Sequence, residues 1–274
     1  MRYNKLSYMK HTVSKQNRAL LSELVRTDFK LRYQGSVLGY AWSLLRPLFM
    51  FIILYIVFAL VFKVGKDIPN YPIYLLLGIV LWNFFMEMTQ QSLGSIVGRG
   101  DLIRKIRIPR WLIIVSVSIG TLINLGLNLI VVLGIAVLNG MDFLKTSIWL
   151  PFFILEIYLF ALGISLILSA LFVKYRDISY VWDVFLQAGF YATPILYPLT
   201  LITSITFQKL IFINPMAQSI QGARNAFVTP VTVTIGDVYQ NSFAFLIPLL
   251  IIVVLLLVGI LYFKKEAKNF AENL

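Results

Sequence analysis

The chain has no cysteine, which excludes a disulfide framework, a thiolate metal site and a thiol nucleophile. Its one histidine, His11, cannot build a metal cluster alone. Charge is scarce as well: 13% of residues are charged, about half of the ~25% usual in soluble domains. Only twelve carboxylates are spread over 274 residues, so paired catalytic acids, a Ser/His/Asp set and other enzyme constellations lack residues or spacing. No GxxxxGKS or GxxxxGKT run occurs, so nucleotide hydrolysis by a P-loop is excluded. Internal repeats and low-complexity tracts are missing too, and one membrane domain is expected.

What is present is apolar. Hydrophobic residues make up 59% of the chain, and a membrane span needs about 20 mostly apolar residues. Six stretches meet that criterion: Tyr40 to Phe62, Tyr71 to Val97, Trp111 to Leu138, Ile148 to Val173, Ile178 to Leu199, and Ser242 to Phe263. The fifth contains Asp183 and Gln187 and is interrupted by Pro194 and Pro198, so it is expected to be short or kinked. The stretch Phe207 to Val228 is broken by Asn214, Pro215, Gln218, Gln221, Arg224 and Asn225 and reads as a re-entrant hairpin. The expected fold is an all-α membrane protein with six transmembrane helices.

Orientation follows from Lys and Arg. Counted alternately between spans, nineteen fall on the side of the termini and five on the other. That split puts both termini in the cytoplasm, with 1–39 an N-terminal segment, 40–263 the transmembrane domain and 264–274 a tail. The net charge of +12 does not point to nucleic acid, because the cations sit in short segments between apolar spans rather than on one soluble face. The first ~40 residues are too long and too charged for the n-region of a secretory signal, so the N-terminus is expected to be retained.

Two segments outside the spans carry a pattern. Leu21, Val25, Phe29 and Tyr33 recur every fourth residue, with Leu20 and Leu24 alongside and Asp28 and Arg32 near the ridge. A helix lying in the membrane interface uses such a face; a plain topogenic anchor is the alternative. In the loop 98–110, Gly100 and Asp101 resemble a helix start with Asp101 as N-cap. Leu102, Ile103 and Ile106 give an apolar face, Arg104, Lys105 and Arg107 line the rest, and Pro109 stops the helix. Topology alone needs cations but no apolar face, whereas docking into a groove of a soluble partner uses both.

Inside the spans Glu87, Glu156 and Asp183 are the conspicuous charges. A proton or ion relay is one reading; the favoured one is a place near a span end or a pairing with a neighbouring helix, since three carboxylates without a histidine chain make a poor relay. The spans are also rich in aromatics, of which a minority could line a path for sugar.

The run YQGSVLGYAWSLLRP from Tyr33 to Pro47, the basic loop 98–110, the KYRDI link from Lys174 to Ile178 and the NPMAQSIQGAR segment from Asn214 to Arg224 resemble permease subunits of ABC exporters for lipid-linked polysaccharides such as O-antigen, capsule, teichoic acid and rhamnan. The resemblance covers nearly the whole chain. It implies a homodimer in the bacterial cytoplasmic membrane, with two ATPase subunits beneath. ATP and Mg would be bound by the partner and no cofactor by this chain. By the same resemblance Leu21, Val25, Phe29, Arg32 and Tyr33 belong to an interface helix. Asp101, Leu102, Ile103, Arg104, Lys105, Ile106 and Arg107 would form a coupling helix, and 207–228 outer gate helices. Tyr55, Phe58, Phe185 and Tyr191 become candidate channel-lining residues. Arg46 becomes a candidate contact for the lipid pyrophosphate, with a snorkelling topology residue as its alternative. The function implied is export of an undecaprenyl-linked polysaccharide by a permease that is not itself an enzyme. An ABC exporter of drugs or lipids is the nearest alternative, and a membrane enzyme acting on polyprenyl phosphate the alternative of another class.

Overall fold

The computed structural model describes residues 17–28, 30, 39, 41–66, 68–105, 108–241 and 243–270. Phe29, Arg32, Tyr33, Ile106 and Arg107 lie outside them. Among the described residues all regular structure is helical. The order is α1 (17–28), α2 (Ala41–Tyr55, continued as a π-helical stretch Ile56–Val61), α3 (Tyr71–Ser95), α4 (Gly100–Lys105) and α5 (Trp111–Leu138). There follow α6 (Leu150–Lys174), α7 (Ile178–Ala192), α8 (Ile205–Ile213), α9 (Pro215–Phe227), α10 (Ile235–Tyr239) and α11 (Leu246–Glu266).

Five helical stretches are long and apolar enough to cross a membrane: Ala41–Val61, Tyr71–Ser95, Trp111–Leu138, Lys145–Lys174 and Leu246–Asn269. They match five of the six expected spans. The expected span Ile178 to Leu199 is helical only over Ile178–Ala192, about 22 Å at 1.5 Å per residue against a hydrocarbon core of about 30 Å. Pro194 is the cause. It has no N–H to continue the helix and forces the residue before it out of the α region, and Thr193 is extended at φ −89°, ψ 135°.

The central helix is α3, buried along most of its length and packed by α2, α5, α6, α7 and α9. α6 crosses α11 at close range, where a Cβ on Gly163 would meet the backbone of Leu255 and Leu256 and one on Gly259 the backbone of Gly163. Small residues let two membrane helices approach so closely. α5 ends in a glycine stop: Gly140 takes φ +67° and Met141 N–H donates to Ala136 O at 3.0 Å, which satisfies a terminal carbonyl. By contrast α2 and α7 are peripheral, each burying a single residue, Pro47 and Leu186.

The helices define two ends. One, here the basic end, holds α1, α4, the start of α5 and the end of α11. There Phe270 is buried with Ile96, Ile103, Ile113, Val173 and Phe263 in a cluster of its own. Lys174 pairs with Glu266 at 2.6 Å, and the Arg110 guanidinium donates to Ala267 O. The other, the hairpin end, holds the start of α3 and the helix pair α8–α9. Asn214 separates that pair, its Oδ1 accepting the Met216 N–H at 3.0 Å, an N-cap followed by proline at the first helical position.

Candidate functional site

At the basic end a cleft of ≈ 660 Å³ lies between α1, α2, α3 and α5. Its α3 wall carries Asn83, Glu87, Gln90 and Gln91, spaced so that all four share one helix face; α5 presents Asn124 and Asn128, one turn apart, and α2 contributes Trp42, Ser43 and Arg46. Polar side chains inside a span are expensive unless bonded, and here Glu87, Gln91, Asn124 and Asn128 form one bonded chain. Asn124 Nδ2 donates to Glu87 Oε2 at 2.6 Å and Gln91 Nε2 to Glu87 Oε1 at 2.8 Å. Asn128 Nδ2 donates to Asn124 O at 2.9 Å. Gln90 Nε2 donates to Asp183 Oδ1 at 2.8 Å, which carries the polar stripe across to α7. Glu87 and Asp183 are thus held by carboxamides from neighbouring helices, the pairing that the sequence favoured over a relay. The stripe itself was readable as the spacing 83, 87, 90, 91 but was not singled out. Arg46 is exposed at the cleft rim, where a guanidinium can meet phosphate oxygens bidentately.

The interface-helix residues are placed in part. Leu21 and Val25 are half-buried on α1 and Leu24 is buried. Asp28, which breaks the apolar ridge in sequence, forms an ion pair with Arg99 and accepts from Ser116 Oγ at 3.2 Å. The charge that spoils the amphipathic pattern therefore staples α1 to the bend after α3.

The loop 98–110 holds a short helix, with two differences from expectation. A 3-10 turn, Val97–Arg99, runs straight from α3 into α4, so Asp101 lies in the first turn of α4 and is no N-cap. The apolar side also faces inward: Ile103 is buried in the cluster with Phe270 and Leu102 is half-buried, whereas Asp101, Arg104 and Lys105 are exposed. The exposed side of this helix is thus its charged side, while its apolar residues fix it to the body. Of the candidate channel residues, Tyr55 and Phe58 lean on the main core, and Phe185 and Tyr191 are exposed on α7.

The hairpin end contains the feature that sequence reasoning missed. Arg224, counted there as one of five cations on the lesser side, is fully buried. Its Nε donates to Tyr74 O at 2.9 Å, Nη1 to Pro194 O at 2.6 Å and Nη2 to Ile195 O at 2.6 Å, and the guanidinium carbon lies 3.7 Å from the centre of the Tyr74 ring. Tyr71 Oη donates to Leu196 O at 2.8 Å and Asn214 Nδ2 to Thr193 Oγ1 at 3.2 Å. The backbone freed by Pro194 thus receives donors from α3 and from the α8–α9 pair, as buried carbonyls require. Gly78 makes room, since a Cβ there would collide with the Arg224 guanidinium. Close by, Ser219 Oγ donates to the buried Glu156 Oε2 at 2.9 Å, joining α9 to α6.

Long apolar helices thus carry an exposed cationic helix at one end and, at the other, a short helix pair of which α9 is buried. Residues 19–228, from α1 through α9, match the ABC-2 type transporter family. The chain belongs to that family. Three curated relatives are named O-antigen export system permease protein RfbA. The Myxococcus xanthus protein is 29% identical over 264 residues, covering 94% of this chain and 96% of its own length. Two Klebsiella pneumoniae proteins are 31% and 30% identical, each covering 93% of this chain and 95% of its own length. The resemblance to polysaccharide export permeases read from the sequence is borne out. So is the reading of a multi-pass membrane permease rather than an enzyme, since the family is one of transporters and the relatives are named permeases.

Proposed function

We propose that this chain is the channel-forming subunit of an ATP-driven exporter that moves an undecaprenyl-linked polysaccharide across the cytoplasmic membrane. The observation that carries this reading is its similarity to O-antigen export permeases along almost the whole length of both chains. The working unit is a homodimer bound to two ABC ATPase subunits, which hold ATP and Mg. The second copy covers α2 and α7, whose apolar residues Phe49, Ile53, Val181 and Val184 stand exposed in the single chain; Phe185 and Tyr191 border the channel with Tyr55 and Phe58.

Both termini and the basic end face the cytoplasm, as the distribution of Lys and Arg supports. α1 is the interface helix and α4 the coupling helix, meeting the ATPase through Asp101, Arg104 and Lys105. α7 completes a sixth crossing together with the segment beyond Pro194, and α8–α9, each too short to span, form the re-entrant outer hairpin. The division into 1–39, 40–263 and 264–274 follows from that topology. Arg46 contacts the diphosphate of the lipid carrier, and the carboxamides of the cleft offer donors and acceptors to the adjoining sugar.

The test is reconstitution of the chain with its ATPase in vesicles and measurement of ATP-dependent transfer of lipid-linked polymer. Transfer of polymer supports the reading; transfer of a drug or a simple lipid in its place refutes the substrate class. Arg104→Glu with Lys105→Glu is expected to abolish ATPase assembly or coupled export. Unchanged export in that variant refutes the docking role of α4.

A further inference from the structure

The two halves of the outer hairpin differ sharply. α9 buries eleven of its thirteen residues, whereas α8 buries only Phe212 and exposes Ile205, Phe207, Leu210 and Ile213. Arg224 is the centre of the buried half, reaching α3 through Tyr74 O and the broken end of α7 through Pro194 O and Ile195 O. Among the described residues no carboxylate pairs with it, so its charge is balanced by carbonyl dipoles and the Tyr74 ring. Two of those carbonyls, Pro194 O and Ile195 O, lie just beyond the C-terminus of α7, the negative end of that helix.

Displacing α9 would strip a buried guanidinium of every partner at once and orphan carbonyls at membrane depth, where no water replaces the donor. Further bonds hold α9: Tyr74 Oη, again from α3, donates to Gln221 Oε1 at 3.2 Å, and Thr146 Oγ1, from the turn before α6, donates to Ala226 O at 2.9 Å. α8 has no such buried charge. It packs against α9, α10 and α11 and lies in a small cluster of Leu199, Phe212, Ile235, Val238 and Ala244.

We infer that Arg224 is a latch that fuses α9, the segment Thr193–Leu196 and the start of α3 into one immobile block, so that the hairpin end opens by movement of α8 alone. This rests on the export reading above and assigns the moving part within it. A hairpin swinging outward as a unit is the arrangement it rules out.

The experiment uses the full transporter in vesicles and exploits the absence of cysteine from this chain, with an ATPase whose own cysteines have been replaced. The unaltered chain with its ATPase is assayed first; if it exports no polymer, the export reading fails and not the latch. Thr146→Cys and Ala226→Cys are oxidised to a disulfide, whose formation is read as loss of free thiol; with the bond formed and α9 fastened, export is expected to stay unchanged, and export lost on oxidation and regained on reduction overturns the proposal. In separate variants a small maleimide should label Leu210→Cys on α8 at a rate that changes when nucleotide is trapped by vanadate, while the rate for Asn225→Cys on α9 stays constant. A constant rate at Leu210→Cys, or a changing one at Asn225→Cys, overturns it. Arg224→Lys keeps the charge but lacks the fork that reaches three carbonyls; combined with Asn225→Cys it should make labelling there nucleotide-dependent. Labelling that stays constant in this variant removes Arg224 from the role.

Discussion

Arg104 and Lys105 on α4 and Arg224 on α9 carry the same positive charge in opposite surroundings. The first two point into solvent from a six-residue helix whose apolar side is turned inward. Arg224 is enclosed, with backbone carbonyls and an aromatic ring as partners. At the basic end charge sits on a face where another subunit can find it. At the hairpin end it replaces missing backbone donors, and its role is to hold elements of this chain together. A cation therefore acts outward or inward according to what surrounds it, and removal should be felt in assembly at one end and in stability at the other.

The sharpest way to break this contrast is Arg224→Met, which keeps bulk but removes every donor. The two carbonyls of Pro194 and Ile195 lose their side-chain partner, at about 1–3 kcal/mol for each unsatisfied group. Removing a buried charge returns part of that, so a net loss of about 3 kcal/mol is expected, read as a lower melting temperature in detergent by tryptophan fluorescence. An unchanged melting temperature would show that Arg224 is no more structural than the cations of α4. Gly78→Ala should give a smaller version of the same effect, about 2 kcal/mol for overpacking. The new Cβ would press on a guanidinium that its three carbonyl bonds keep from yielding.

Asp28 and Arg99 stand between the extremes, being partly exposed, with the aspartate also accepting from Ser116. Asp28→Ala leaves the half-buried guanidinium without its carboxylate and should cost about 1 kcal/mol, an effect that shrinks at high salt because the pair is partly solvated. A loss as large as that from Arg224→Met would place the basic end in the same class as the hairpin end.

These differences also mark what could be read from the sequence. Five spans were legible because long apolar runs leave few other structures, and the short α7 was legible in Pro194, whose consequences are local. The break at Asn214–Pro215 announced the α8–α9 pair for the same reason. The place of Arg224 was not legible, because an orientation count treats every arginine as a loop charge and its partners lie 29, 30 and 150 residues away. Ile103 shows the same limit: periodicity reveals an apolar face on α4 but not that Phe270, from the far end of the chain, already covers it. Asp28 looked like a flaw in an amphipathic helix until Arg99 was seen opposite.

The smallest expected effect on stability is the most informative about α4. Arg104→Glu with Lys105→Glu reverses two exposed charges that take part in none of the ion pairs or side-chain hydrogen bonds seen among the described residues, so the melting temperature of the isolated permease should not move, as for ordinary surface substitutions. Binding of the ATPase should nevertheless be lost, because an interface that attracts positive charge repels its reversal. Both measurements are needed on one protein preparation. A lost interaction with an unchanged melting temperature assigns the charge to the partner, whereas a fall in both would mean that α4, like α9, is held together by its cations.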